Sequence, residues 1–323
     1  MEKHKVVVIG DLFPSARERL EEKCELVIWD KPERMPQDLL YDWIQSAEGL
    51  FSRGDIKVDE ELLIRAPHLR VVAQASVGYD NIDIDVCTKK SIPFGNTPGV
   101  LVEATADLTF GLVLTSARRI HEGWNFVKEG KWVGRKNIPY GVDLYGKTLG
   151  IVGMGSIGAS VARRANAFGM NVIYYNRKIR QDHDDLSANY VSFNELLKES
   201  DFIVVLVPLS PSSRHLFGEE QFKKMKSSAY FINASRGAVV DTTALYNALI
   251  NQEIAYAALD VTDPEPINHD HSLLSLPNVL ITPHIGSATI ETRTRMAELT
   301  VENLLAGLDR KPLPACVNNQ VNY

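Results

Sequence analysis

At 323 residues the chain is long enough for two domains, and 45% hydrophobic with 24% charged residues is the balance of an ordinary globular enzyme. A formal charge of −6 argues against nucleic acid as the main partner. Cys24, Cys87 and Cys316 lie far apart with no C-x-x-C pair, so reduced thiols are expected rather than a disulfide framework, and no metal site.

The chain opens with the apolar run Val6–Ile9, which Asp11 soon interrupts. It is too short for a signal peptide and reads as a buried first strand. Helix-like Ser15–Lys23 follows, then Glu25–Trp29 and Leu39–Ser46, Gly49–Ser52 and Asp59–Arg65, Val71–Gln74 and Asp83–Lys90. Such β-α alternation predicts a parallel sheet with helices on both faces. Asn96-Thr97-Pro98-Gly99 is a turn cluster that marks a boundary. Leu101–Ile120 predicts one long buried helix. Gly123–Gly146, with Trp124, Phe126, Trp132, Tyr140 and Tyr145, predicts a loop-rich arm whose aromatics suit an interface, and a homodimer is expected.

From Thr148 a second β-α series begins. Six strands are predicted, at Leu149–Val152, Val172–Tyr175, Phe202–Val207, Tyr230–Asn233, Ala257–Asp260 and Val279–Thr282, with helices between them. The longest apolar run, Phe202–Leu209, is far below the roughly 18 residues of a membrane span, so a cytoplasmic protein without membrane contact is expected. A last amphipathic helix, Thr289–Leu305, leads to a tail that should return to the first domain. The predicted fold is α/β with two doubly wound parallel-sheet domains. Residues 1–98 and 288–323 form a smaller flavodoxin-like substrate domain, and 99–287 a Rossmann dinucleotide-binding domain.

Chemistry enters at Gly153-Met154-Gly155-Ser156-Ile157-Gly158, a G-x-G-x-x-G spacing between an apolar run and an Ala-rich helical segment. The first glycine allows a tight turn, the second lets backbone approach a pyrophosphate, and the third lets the helix pack close to the strand. Phosphate then sits at the helix N-terminus. The next strand ends in Asn176-Arg177-Lys178, where NAD-preferring domains place a carboxylate on the ribose 2′-hydroxyl. Arg177 can instead take a 2′-phosphate, so NADP(H) is expected ahead of NAD(H). Asp182, Asp184 and Asp185 come too late to reach the ribose. Arg236, Glu265 and His284 each follow a predicted strand and can face one crevice. A guanidinium to hold a carboxylate, an imidazole to give a proton and a carboxylate to raise the imidazole pKa suit reduction of a 2-oxo acid.

With these motifs the chain resembles the D-isomer-specific 2-hydroxyacid dehydrogenases, nearest to the glyoxylate/hydroxypyruvate and 2-ketogluconate reductases. The resemblance rests on Ser76-Val77-Gly78-Tyr79-Asp80-Asn81-Ile82-Asp83, the glycine turn, Asn233-Ala234-Ser235-Arg236-Gly237, Asp260 to Pro266, and Pro283-His284-Ile285-Gly286-Ser287-Ala288-Thr289. It implies that Arg236 binds carboxylate and carbonyl, that His284 is the acid/base and that Glu265 is its partner. It implies that the Val77 and Gly78 N–H groups hold the substrate carboxylate. It places Asp260 on the nicotinamide carboxamide, with Thr105, Pro208, Ser213, Ala234 and Gly286 along the cofactor. Arg53 is a candidate for the substrate's tail, and Trp132 and Tyr140 for a pocket cap. His269-Asp270-His271 lacks a third ligand and reads as a solvated loop. An NAD-dependent member, such as a phosphoglycerate dehydrogenase, and a dinucleotide-sensing corepressor-like module remain alternatives for the same motifs.

Overall fold

A computed structural model describes residues 3–134, 137–181 and 186–321; Asp182, Asp184 and Asp185 lie outside them. The chain divides into two compact units, Met1–Leu101 with Ala288–Tyr323, and Val102–Ser287.

The first unit contains β1 (His4–Ile9), α1 (Pro14–Glu21), β2 (Cys24–Trp29), α2 (Gln37–Ile44), β3 (Gly49–Ser52), α3 (Glu60–Arg65), β4 (Val71–Gln74), α4 (Ile84–Lys89) and β5 (Phe94–Gly95). The strands pair in parallel in the order β2-β1-β3-β4-β5. Successive side chains of a strand point to opposite faces. Val7, Ile9, Leu50 and Val72 therefore fill one core, and Val6, Val8, Phe51 and Val71 the other. Because all five strands are parallel, the loops that follow them lie at one end of the sheet, and Gly10, Arg53 and Ser76–Gly78 follow neighbouring strands β1, β3 and β4.

The second unit begins with α5 (Val102–Ala117) and α6 (Ile120–Lys128). It continues with β6 (Thr148–Val152), α7 (Ser156–Ala167), β7 (Asn171–Tyr175), β8 (Ala188–Tyr190), α8 (Phe193–Glu199) and β9 (Phe202–Val205). Then come α9 (Glu219–Lys224), β10 (Tyr230–Asn233), α10 (Thr242–Ile250), β11 (Tyr256–Leu259) and β12 (Val279–Ile281). Its parallel sheet has the order β12-β11-β10-β9-β6-β7-β8, so the strand order reverses between β6 and β9, where open α/β sheets bind ligands.

Three expectations need correction. The sheet has seven strands: the edge strand β8, Ala188-Asn189-Tyr190, has no apolar run to mark it in the sequence. The long helix ends at Ala117, where Arg119 turns into the left-handed region with φ 52° and α6 starts on a new axis. The arm is therefore helical as far as Lys128, its pattern of Ile120, Trp124 and Val127 interrupted in sequence by Gly123.

The chain closes with α11 (Ile290–Leu308), counted in the first unit, where Ala297, Val301 and Leu304 join the core beside Val71. The following tail covers the edge of β5, with Val317 N–H donating to Phe94 O at 2.9 Å. Among the described residues, no helix is long and apolar enough to cross a membrane.

Candidate active site

The glycine turn is built by close approach. Gly153 has φ 104°, and a Cβ there would stand 2.7 Å from Leu206 C. A Cβ on Gly158 would stand 2.6 Å from Gly153 O, so helix and strand touch. Gly155 is different: nothing lies within 4 Å of its Cβ position. It is also the N-cap of α7 and makes no side-chain cap, so the first N–H groups of the helix beside exposed Ser156 lack a side-chain acceptor. Open space above bare helix N–H groups fits a pyrophosphate. Ile157 is half-buried and packs against the core under α7.

The adjoining basic turn is held by its own backbone contacts. Asn176 Oδ1 accepts from Met154 N–H at 2.7 Å, and Asn176 Nδ2 donates to Met154 O at 3.3 Å. The Asn176 amide is thus committed to the glycine turn rather than standing clear toward a ribose. Arg177 and Lys178 are exposed with no ion-pair partner among the described residues. Ser213, expected along the cofactor, is only 7% exposed. Its hydroxyl donates to Pro208 O at 2.7 Å and accepts from Ser210 N–H at 2.8 Å, which shapes the loop that presents Pro208.

Arg236, Glu265 and His284 follow the adjacent strands β10, β11 and β12. Asn233 folds the first loop, accepting from Ser235 N–H and donating to Arg236 O at 2.9 Å. Gly237 then lies against the second loop, where a Cβ would fall 1.9 Å from Thr262 O. Arg236 donates to Ser235 O at 2.9 Å. Glu265 Oε1 and His284 Nδ1 are 2.5 Å apart, and Thr262 N–H donates to Glu265 Oε2 at 3.3 Å. Burial pushes the Glu265 pKa up, but His284, the Thr262 N–H and the Arg236 charge outweigh it and leave the carboxyl below its ordinary value.

Asp260 explains how His284 is placed. Its buried carboxylate accepts from the Thr282 hydroxyl at 2.7 Å, Ile285 N–H at 2.8 Å and Gly286 N–H at 2.8 Å. His284, between these donors, has φ 53°, a conformation that side-chain-bearing residues adopt only when their surroundings impose it. Thr105 approaches the same point, its Oγ1 3.6 Å from the Cβ position of Gly286. Asp260 was expected on the nicotinamide carboxamide; the structure commits all of the contacts above to the His284 loop.

Val77 and Gly78 belong to the first unit, half-buried in the loop after β4. Arg53 follows β3, bent over Gly10, with its guanidinium 3.4 Å from Asp11 Oδ2. Ala234 and Pro208 lie near the start of the loops after β10 and β9. Trp132 and Tyr140 are exposed on the arm, at 65% and 81%. His271 Nδ1 accepts from Leu273 N–H and so caps a 3-10 turn; among the described residues no group of three His, Cys, Asp or Glu is placed to hold a metal. Sequence reasoning missed Asn233, Gln74 and Asn96. Gln74 carried a usable signal, a polar residue ending an otherwise apolar strand, whereas Asn96 passed for mere turn composition.

A seven-stranded parallel sheet with an open glycine turn at its reversal point, and a charged trio on the strands beyond, defines a nicotinamide-dinucleotide-binding oxidoreductase fold. Residues 110–286 match the model of the "D-isomer specific 2-hydroxyacid dehydrogenase, NAD binding domain". A glyoxylate reductase of Thermococcus litoralis is 46% identical over 99% of this chain and 98% of its own. A Thermus thermophilus structure superposes with TM-score 0.92 at 42% identity, covering 97% of this chain and 99% of that one. An NADPH-dependent glyoxylate/hydroxypyruvate reductase from Sinorhizobium meliloti, solved with NADP and malonate, superposes with TM-score 0.87 at 32% identity over 99% and 98%. The chain belongs to the D-isomer-specific 2-hydroxyacid dehydrogenase family.

Proposed function

We propose that this protein reduces small 2-oxo acids, glyoxylate and hydroxypyruvate first among them, to D-2-hydroxy acids with NADPH. The observation that carries the reading is the 2.5 Å His284–Glu265 pair set beside Arg236 on the strand ends beyond the glycine turn. The bound nicotinamide supplies a hydride to C2 of the substrate. Arg236 pairs with the substrate carboxylate and polarises the carbonyl. His284 has Nδ1 engaged by Glu265, so Nε2 is the nitrogen that delivers the proton to the former carbonyl oxygen. Glu265, ionised at neutral pH, fixes that tautomer and balances the imidazolium. Val77 and Gly78 take the carboxylate through their N–H groups, and Arg53 meets a longer tail.

For the cofactor, Arg177 and Lys178 support NADPH, as does the NADPH dependence of the Sinorhizobium relative. Exposed Ile120, Trp124, Val127 and Trp132 give the arm an apolar face, which supports a homodimer.

The test is turnover of glyoxylate, hydroxypyruvate, 2-ketogluconate and 3-phosphohydroxypyruvate with NADPH and NADH in parallel, for the native chain and His284→Ala. We expect glyoxylate and hydroxypyruvate with NADPH to give the highest kcat/KM. His284→Ala should lower kcat by about 10²–10⁴-fold with NADPH binding retained. Higher kcat/KM with NADH, or with the phosphorylated acid, would overturn the cofactor or substrate assignment; near-native turnover of His284→Ala would overturn the mechanism.

A further inference from the structure

Buried polar side chains demand partners, and two of them converge on one short loop of the first unit. Gln74, 0% exposed, ends β4, and Asn96, 7% exposed, follows β5. Thr97 N–H donates to Ser76 O at 2.9 Å, and Asn96 Nδ2 donates to Val77 O at 3.0 Å. Gln74 Nε2 and Ser76 Oγ both donate to Gly78 O, at 2.9 and 2.6 Å. Every carbonyl from Ser76 to Gly78 is therefore answered. In a trans peptide the N–H points opposite to the C=O. Tying the carbonyls of Ser76 and Val77 from behind turns the Val77 and Gly78 N–H groups to the other side. Among the described residues neither of those N–H groups has a protein acceptor. Adjacent unanswered N–H groups form an anion cradle.

We propose that Asn96 is the positioning residue for the substrate carboxylate. It touches no substrate atom. Its amide fixes the plane of the Val77–Gly78 peptide and, by hydrogen-bonding the carbonyl, makes the Gly78 N–H a stronger donor. Asn96 is itself held, by Asn303 Nδ2 on its carbonyl oxygen at 3.0 Å and by its own N–H on Ala315 O at 3.2 Å. Without the Asn96 amide the peptide is free to rotate and to bring the negative end of its dipole toward the carboxylate. The inference rests on the reading of Val77 and Gly78 given above.

The experiment compares the native chain with Asn96→Ala, Asn318→Ala and Gly78→Pro. Readouts are KM and kcat for glyoxylate, Ki for oxalate as a carboxylate probe, KM for NADPH, and Tm. Asn96→Ala should raise KM for glyoxylate and Ki for oxalate together by about tenfold, the effect of one lost hydrogen bond. It should change kcat by less than about threefold and leave KM for NADPH in place, because binding shared by ground and transition states appears in KM. Asn318 is equally buried, accepting from Phe94 N–H at 2.8 Å without reaching residues 76–78, so Asn318→Ala should lower Tm and leave Ki unmoved. An oxalate Ki within about twofold of native in Asn96→Ala, or an equal rise in Asn318→Ala, overturns the proposal. Gly78→Pro deletes one cradle N–H outright. If it raises Ki while Asn96→Ala does not, the cradle stands and the positioning role falls; if Gly78→Pro leaves Ki unchanged, the carboxylate is held elsewhere and both readings fail.

Discussion

The division of labour among single residues is sharper in the structure than in the motif. Asn176 and Arg177 stand side by side, yet Asn176 closes two hydrogen bonds on Met154 while Arg177 projects into solvent. On the proposed NADPH reading, selectivity for a 2′-phosphate would fall to Arg177, with Lys178 in support, while Asn176 shapes the glycine turn. Arg177→Asp places a carboxylate where it repels a phosphate dianion and can accept from a ribose hydroxyl. We expect the NADPH-over-NADH ratio of kcat/KM to fall by about 10–100-fold, in line with a charge-assisted contact of roughly 1.5–3 kcal/mol. An unmoved ratio would take Arg177 out of that role. The arginine was legible from the sequence because a cation in place of the usual carboxylate is a local signal. The task of Asn176 was not, since its partner lies 22 positions away across the sheet.

At the scale of elements, the loops after β10 and β11 form one body because Gly237 lets them touch. Gly155, by contrast, faces open space where Gly237 faces a carbonyl 1.9 Å from a Cβ. The same substitution should therefore act in opposite ways. Gly237→Ala forces the Arg236 loop away from the Glu265 loop, and we expect a stability loss of about 1–3 kcal/mol with a lower kcat/KM. Gly155→Ala should leave Tm nearly unchanged and raise KM for the dinucleotide, by filling the space a pyrophosphate would use. Thermal melting and steady-state kinetics on both variants check this; a destabilised Gly155→Ala or an unaffected Gly237→Ala contradicts it. The G-x-G-x-x-G spacing announced Gly155, whereas Gly237 lay in a motif noted for its arginine.

Across the whole molecule, two of the three thiols, none of which has a mechanistic role, bear on stability. Cys24 and Cys87 sit in opposite cores of the first unit, and burial pushes their pKa values up to about 11 and about 12. A thiol with a raised folded-state pKa contributes stability that is complete below its unfolded value, near 9, and is lost as pH rises through the folded value. The Tm should accordingly decline between pH 9 and 11. In a Cys24→Ala, Cys87→Val double variant that decline should be shallower, and melting curves of both chains from pH 7 to 11 test it. An equally steep decline in the double variant would assign the alkaline loss to other groups.

By itself the sequence determined both sheets apart from the short strands β5 and β8, the glycine turn and the three residues proposed for the chemistry, because hydrophobic periodicity, glycine spacing and charged strand ends are local properties. It left three matters to the tertiary structure. Whether the segment after Ala117 is helix or loop turned on the left-handed backbone at Arg119. What holds His284 was settled by Asp260, whose carboxylate gathers backbone donors from a loop 25 residues further on. Which way the Val77 and Gly78 N–H groups face was settled by Asn96 and Thr97, from the far side of the next strand crossover. The physical reason is common to the last two: a hydrogen-bond partner is chosen by distance in space, and the sequence records only distance along the chain.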